Sequence, residues 1–342
     1  MSESAARPRT RRGLKTWGSF GNLGRRPTEY EILTHGLNHT TGSVGLEMGP
    51  EVWGNRWLRE HRDRMPLVVP EWDAFRDPDK MTYGTYVAQQ DDQETYVEGL
   101  LEQFDSEGYD EALSDEALTL LSHAFTPTRY VAHSQQMLSA YLQQLAISSY
   151  VGNCAAFQTA DQLRRVQLVA YRTTQLKLTH PASGFATGEK ATWTEDPDWQ
   201  PIRAAFEWAL VEFDWDRAFV ATNLVTKAIA DQIFLVHLAH QFGAVDARLD
   251  ELVTDNLWHD AQRSKRWTTD LVKFLAGADP SNLVVLQGHL DSWLERADAM
   301  IDAGARVIQT PSGKDSNAIA AAVRECWTSW LHELGLIAIP RA

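Results

Sequence analysis

An all-α fold is predicted by three observations: a 3.6-residue apolar period that runs from about residue 77 to the carboxyl end, the lack of any rival strand-like alternation, and the crowding of helix breakers into the first 76 residues. The division expected is an extended, irregular N-terminal arm over residues 1–76 and a helical domain over 77–342. With 44% hydrophobic residues the chain can build a substantial core, and its 13 tryptophans suit interfaces as well as interiors.

In the arm, Pro8, Gly13, Gly18, Pro27, Gly36, Pro50, Pro66 and Pro70 interrupt every helical period. The segment is too apolar for plain disorder, since Leu14, Trp17, Phe20, Tyr30, Trp53 and Trp57 gain nothing from water. These six are candidate contacts to a partner surface. Residues 72–78 mark a turn into the helical body. Beyond it, residues 85–104 repeat Val87, Val97, Leu100, Leu101 and Phe104, and residues 114–124 start at a capping Ser114. Helices are then expected over 130–150, 159–176, 201–213 and 219–242, the last apolar on two faces and so central. Residues 257–275, 282–304 and 317–334 complete the set, the middle one after the capping cluster Asp279-Pro280-Ser281.

The net charge of −14 is unevenly spread. Residues 1–26 carry Arg7, Arg9, Arg11, Arg12, Lys15, Arg25 and Arg26 against Glu3, whereas residues 81–128 hold eleven acids and no Lys or Arg. Each is either a solvated surface or a docking surface of complementary sign. An acidic body argues against nucleic acid as partner. No run of eighteen uncharged apolar residues occurs and no secretory leader is recognisable, so the expected location is cytoplasmic. Cys154 and Cys326 stand far apart and read as reduced thiols. Gly313-Lys314 is followed by Asp315 and does not make a phosphate loop, and neither a dinucleotide fingerprint nor a nucleophile elbow is present.

The most telling stretch is residues 159–176, which has the length and internal polarity of a helix in a di-iron carboxylate bundle, where Glu-x-x-His sets two ligands on one inward face. That slot reads Asp161-x-x-Arg164 here. A second helix at residues 260–267 matches the pattern Asp-Glu-x-Arg-His, but Ala261 replaces the carboxylate and Ser264 the imidazole. None of the eleven histidines has a carboxylate three residues before it. Asp161 and Arg164 are expected to form a buried ion pair in the vacated slot, or else an ordinary surface pair. His237 and His240, three apart on one helix, are the remaining metal candidates and lack a carboxylate partner; Glu94, Glu98 and Glu102 share a face that exposure suits better than burial.

Seven ordered blocks carry a resemblance: Arg25-Arg-Pro-Thr-Glu-Tyr-Glu31, Trp72-Asp-Ala-Phe-Arg-Asp-Pro-Asp79, Tyr96-Val-Glu-Gly-Leu-Leu-Glu-Gln103, Phe125-Thr-Pro-Thr-Arg-Tyr130, Asn153-Cys-Ala-Ala-Phe-Gln-Thr-Ala-Asp161, Asn223-Leu-Val-Thr-Lys-Ala228 and Arg263-Ser-Lys-Arg-Trp267. Through them the chain resembles the β subunit of the hydroxylase of bacterial multicomponent di-iron monooxygenases, especially the toluene and alkene (isoprene-type) four-component group. The resemblance spans residues 15–275 and weakens toward the carboxyl end. It implies a ferritin-like bundle without metal or cofactor of its own, held in an (αβγ)2 assembly whose α subunit carries the di-iron centre and oxidises alkenes or aromatic hydrocarbons. A coupling protein, a Rieske ferredoxin and a flavin reductase would supply control and NADH-derived electrons. Two alternatives are a stand-alone ferritin-like metal oxidase built around His237 and His240, and a helical scaffold for an unrelated partner.

Overall fold

The computed structural model describes Phe20, residues 23–37 and residues 51–338. Leu14, Trp17 and the basic residues of positions 7–15 lie outside the described residues. All regular structure within them is helical. The arm is less irregular than its glycines and prolines suggest. It contains α1 (Glu29–Thr34), closed by a capping box between Thr28 and Glu31, and α2 (Trp53–His61). These helices are too short for a periodic signal, which is why the sequence reads as extended there. Tyr30, Leu67 and Phe75 belong to the same core as the bundle.

The body begins with α3 (Tyr83–Ser106), capped by Thr82, and α4 (Asp115–Leu120), capped by Ser114 as expected. A π turn at Leu121–Phe125 leads to α5 (Thr128–Gln144), which reverses into α6 (Ser149–Thr179). The single helix expected over 130–150 is therefore broken. Leu145 leaves the helical region and Ser148 is extended at φ −137° and ψ 158°, its hydroxyl accepting the Val151 N–H. Apolar Leu145, Ala146 and Ile147 continue the period across the reversal and hide it. After α7 (Glu189–Glu195) and α8 (Gln200–Ala209) comes a buried helix from Trp215 to Ala244. It comprises α9 (Trp215–Phe219), α10 (Lys227–Asp231) and α11 (Leu238–Ala244), joined by π segments at Val220–Thr226 and Gln232–His237. Its length and hydropathy alone would let it cross a bilayer, but 89% of its most apolar window is buried by the surrounding helices. Thr226 supports the first π segment, its hydroxyl donating to the carbonyls of Ala221 and Thr222.

Next follows α12 (Arg248–Ala278), then α13 (Ser281–Asp291), α14 (Leu294–Val307) and α15 (Ser316–Glu333). The helix expected over 282–304 kinks at Ser292 and Trp293, both of which keep right-handed helical dihedrals, so the apolar period passes through the break unchanged. At 31 residues each, α6 and α12 are about 47 Å long and form the axis of the fold. One polar chain marks the bundle interior: Gln158 of α6 bonds Ser139 of α5 and Asn223 of the long apolar helix, and Asn223 bonds Thr268 of α12. Four helices thus meet around one axis in a ferritin-like arrangement. Outside them, α14 presses Gly304 so closely on Ile233 that a Cβ there would stand 2.6 Å from its Cδ1, and Trp327 of α15 donates to the Leu224 carbonyl.

Candidate functional site

Inside the bundle, next to the Gln158 layer, Arg165 of α6 faces Asp231 of α10 at 3.4 Å, and Lys227 pairs with the same carboxylate one turn away. All three are at most 4% exposed. Burial pulls the Arg165 pKa below its usual value and Asp231 opposes that pull. Ala261 and Ser264 line an adjoining cavity of about 30 Å³ with Lys227, Asp231 and Gln232, roofed by Trp327 and Trp330 of α15. The Ser264 hydroxyl has no hydrogen-bond partner among the described residues. A di-iron centre needs carboxylate and imidazole donors. This interior offers two cations and one carboxylate already bound between them, and so it does not fit the metal. Among the described residues no group of three His, Cys, Asp or Glu is placed to hold a metal ion.

Asp161 and Arg164 do not pair with one another. They reach across to α12, where the same spacing recurs as Asp260 and Arg263. The Arg164 guanidinium meets Asp260 at 3.0 Å and Asn256 at 2.7 Å and also binds Glu94 of α3. Arg263 binds Asp161 and lies 3.1 Å from Asp260, while the Tyr86 hydroxyl donates to Asp161 at 2.9 Å. Two Asp-x-x-Arg pairs on neighbouring helices therefore cross-link in a buried box. The sequence shows the repeated spacing plainly, but only tertiary structure brings the two copies together. Burial, with Asp260 adding to it, pushes the Asp161 carboxyl up to about 7 against the pull of Arg263 and Tyr86. Three of the ligand-slot positions face two separate openings: Arg164 of α6 lines the groove between α3 and α6, whereas Ala261 and Ser264 of α12 line the cavity under α15.

A third buried group ties the far end of α6 to its neighbours. Arg172, 1% exposed, binds Asp250 of α12 at 2.8 Å and Asp110 at 2.6 Å. Burial opposes its charge, yet the two carboxylates more than offset that and hold its pKa above the usual guanidinium range.

His237 and His240 separate in environment. The first is 8% exposed with an unpartnered Nδ1, the second is exposed, and their ring centroids stand 5.8 Å apart. Burial, then His240 and Lys314, lowers His237 from 6.5 to about 4. The unfolded chain takes up a proton below about pH 6.5 where the folded chain does not. Stability is full above that pH and falls by up to about 3 kcal/mol as pH drops to about 4. His237→Gln removes this slope, so the difference between the wild-type and variant stability profiles should rise by that amount between pH 4 and 6.5. Parallel profiles would refute the buried neutral imidazole.

The arm residues divide in the same way. Tyr30 is 6% exposed, its hydroxyl accepting the Asp77 N–H, and so is taken up by this chain's own core rather than by a partner. Phe20 stacks on His35 at 4.5 Å, and the Trp57 indole N–H donates to the Tyr141 hydroxyl. Among the described candidates Trp53 stays open, at 65% exposure, and its ring lies against Trp57, which in turn meets Phe213 edge-on. Cys154 and Cys326 are both free, the first buried, and burial raises its pKa.

Known proteins share this architecture. The family model described as Methane/Phenol/Alkene Hydroxylase matches residues 57–279. The hydroxylase component subunit beta of the toluene-4-monooxygenase system of Ectopseudomonas mendocina is 36% identical over 296 residues, covering 86% of this chain and 90% of that one. The oxygenase component DmpL of phenol 2-monooxygenase from Pseudomonas sp. (strain CF600) is 24% identical and covers 93% and 94%. Among solved structures, that of toluene 4-monooxygenase with toluene in its resting active site superposes at a TM-score of 0.81 and 34% identity, covering 87% of this chain and 99% of that chain. The xenon-pressurised phenol hydroxylase of Pseudomonas sp. OX1 gives 0.82 at 20% identity, covering 98% of each chain, a likeness of fold.

Proposed function

The chain belongs to the methane/phenol/alkene hydroxylase family, and on that premise we propose that it acts as a non-catalytic β subunit in the hydroxylase of a multicomponent di-iron monooxygenase. The observation that carries this reading is the bundle interior, where the cations Arg165 and Lys227, bound to Asp231, lie beside Ala261 and Ser264, side chains that offer a metal neither carboxylate nor imidazole. The di-iron centre then belongs to a larger α subunit, and the assembly is (αβγ)2. A coupling protein, a Rieske ferredoxin and a flavin reductase complete an NADH-dependent, cytoplasmic system that oxidises aromatic hydrocarbons or alkenes.

The work of this chain is mechanical. Its buried ion pairs and long helices hold a rigid surface against which the iron-bearing bundle is braced, and rigid support keeps metal ligands at productive geometry. We assign the aromatic patch around Trp53 to that contact, because a large exposed indole supported by other rings is the kind of group on which binding energy concentrates. The arm, residues 1–76, serves as an attachment to the bundle domain, residues 77–342. Co-purification from the native host tests the reading, since a large subunit with two Glu-x-x-His motifs should come down with the chain. Trp53→Ser should weaken that association by roughly thirtyfold, about 2 kcal/mol, and leave the melting of the isolated chain unchanged. An unaltered dissociation constant would remove Trp53 from the interface.

The rival reading, a metal oxidase centred on His237 and His240, has no support in the geometry, because among the described residues no third His, Cys, Asp or Glu joins them to hold a metal, and one ring is buried while the other faces solvent.

A further inference from the structure

We propose that the small cavity between α10, α12 and α15 binds a monovalent halide, of which chloride is the common one. Lys227 and Asp231 of α10 and Lys265 of α12 line it. Behind Asp231 stands Arg165, whose guanidinium faces one carboxylate oxygen at 3.4 Å while the Lys227 ammonium takes the other. Three cations therefore share one acid. The crossed box of α6 and α12 does not make up the difference, because its two aspartates are already matched by Arg164 and Arg263. Arg165 and Lys227 are each 3% exposed, and an uncompensated charge in such surroundings is costly unless a counter-ion joins it. One negative charge beside Lys227 neutralises the buried trio.

The hydrogen-bonding groups that face the cavity have the matching polarity. Ser264 is 3% exposed, lines the cavity, and its hydroxyl has no partner among the described residues. Thr268 beside it donates to the Ser264 carbonyl at 2.7 Å and accepts from Asn223 at 2.8 Å, so its hydroxyl is fully engaged. The Lys227 ammonium has three N–H groups and gives one to Asp231. Lys265 makes no ion pair among the described residues and lies 5.1 Å from the centre of the Trp330 ring. Donors are thus to spare, whereas both oxygens of the one carboxylate are covered by cations. Such a lining suits an acceptor and repels a cation.

Size narrows the ligand further. The cavity measures about 30 Å³, and a single water needs about 10–15 Å³ on the same measure. A halide fits that space, but a phosphate or an organic acid does not. The indoles of Trp327 and Trp330 turn their N–H groups away, to the Leu224 carbonyl and the Thr269 hydroxyl, and present apolar surface to the cavity. Walls of this kind keep bulk water out and strengthen the attraction between the ion and the two lysines. The ion would tie α10 to α12 beneath α15.

The test uses the full-length chain in the assembly in which it is purified. Crystals soaked in bromide, which scatters anomalously, should show a peak within reach of Lys227 and Ser264, and added chloride should displace it. In solution, the melting temperature should rise with chloride at fixed ionic strength but not with gluconate, which is too large to enter, because a ligand of the folded state stabilises it by mass action. Ser264→Ala leaves the charges in place and should move the chloride response to roughly tenfold higher concentration, as one hydrogen bond to a charged group allows. Lys227→Gln leaves Arg165 and Asp231 as a neutral pair and should abolish both the peak and the response. Water alone in the cavity, equal melting in chloride and gluconate, or a chloride response that ignores both substitutions would each overturn the proposal. So would a bromide peak with no chloride response in solution, which marks an adventitious ion only. None of these outcomes bears on whether the chain is a hydroxylase subunit.

Discussion

Replacing Arg172 by Met should lower the unfolding free energy by about 3–5 kcal/mol, the usual result of removing one partner from a buried ion pair. Asp250 is 0% exposed and receives two of the guanidinium's bonds, so without Arg172 it becomes an uncompensated carboxylate in the interior. Asp110 also loses its partner, but at 16% exposure water can reach it. Methionine keeps much of the side chain's volume, which confines the loss to charge. Denaturant unfolding at neutral pH measures the effect. Adding Asp250→Leu to the variant should recover part of the loss, because replacing both members of a buried pair is far cheaper than orphaning one. A cost below about 1 kcal/mol would mean that Arg172 and Asp250 are not paired in solution.

The second large effect concerns the crossed box of α6 and α12. Asp260→Asn should destabilise the chain by about 3 kcal/mol, since Asp260 alone bonds Arg164, Arg263 and Gln90. Its diagnostic value lies in pairing. A double-mutant cycle between Arg164 and Asp260 should give a coupling of about 1–3 kcal/mol, whereas the cycle between Asp161 and Arg164 should give a much smaller one. The opposite order would restore the intrahelical pair that spacing alone suggests. Asp161→Ala should also destabilise, because it strips Arg263 and the Tyr86 hydroxyl of a common acceptor.

Much of this was open to reading along the chain. The 3.6-residue period locates α3, α6, α12 and α15 because each buries one face against the core over many turns. What the period cannot show is a change of direction that leaves it intact. Residues 145–147 stay apolar through the reversal between α5 and α6, and Ser292 and Trp293 keep helical dihedrals through the kink before α14. The π segments of the long apolar helix are equally silent, because a helix buried all round has no stripe whose drift would reveal an extra residue.

The site divides along the same line. Ala261 and Ser264 are recognisable as non-ligands from identity alone, and the cavity they border follows from their small size. The partners of Asp161 and Arg164 are not recognisable in that way, because they sit about a hundred residues downstream on a helix whose rotation about its axis no local pattern fixes. Nor does spacing single out Arg165, one residue from Arg164, as the guanidinium that faces Asp231. The rotation of α6 decides this, and that rotation is set by the packing of α5, α12 and the long apolar helix upon it.

The central claim is that this chain braces a metal-bearing neighbour and holds no metal itself. Iron analysis of the purified hydroxylase, resolved into its subunits, tests it most directly. The account predicts that the iron, about two atoms per protomer, travels with the large subunit, and that this chain, refolded alone with ferrous iron, retains none. A dinuclear centre on this chain, or oxygen-dependent turnover by it in isolation, would contradict the account.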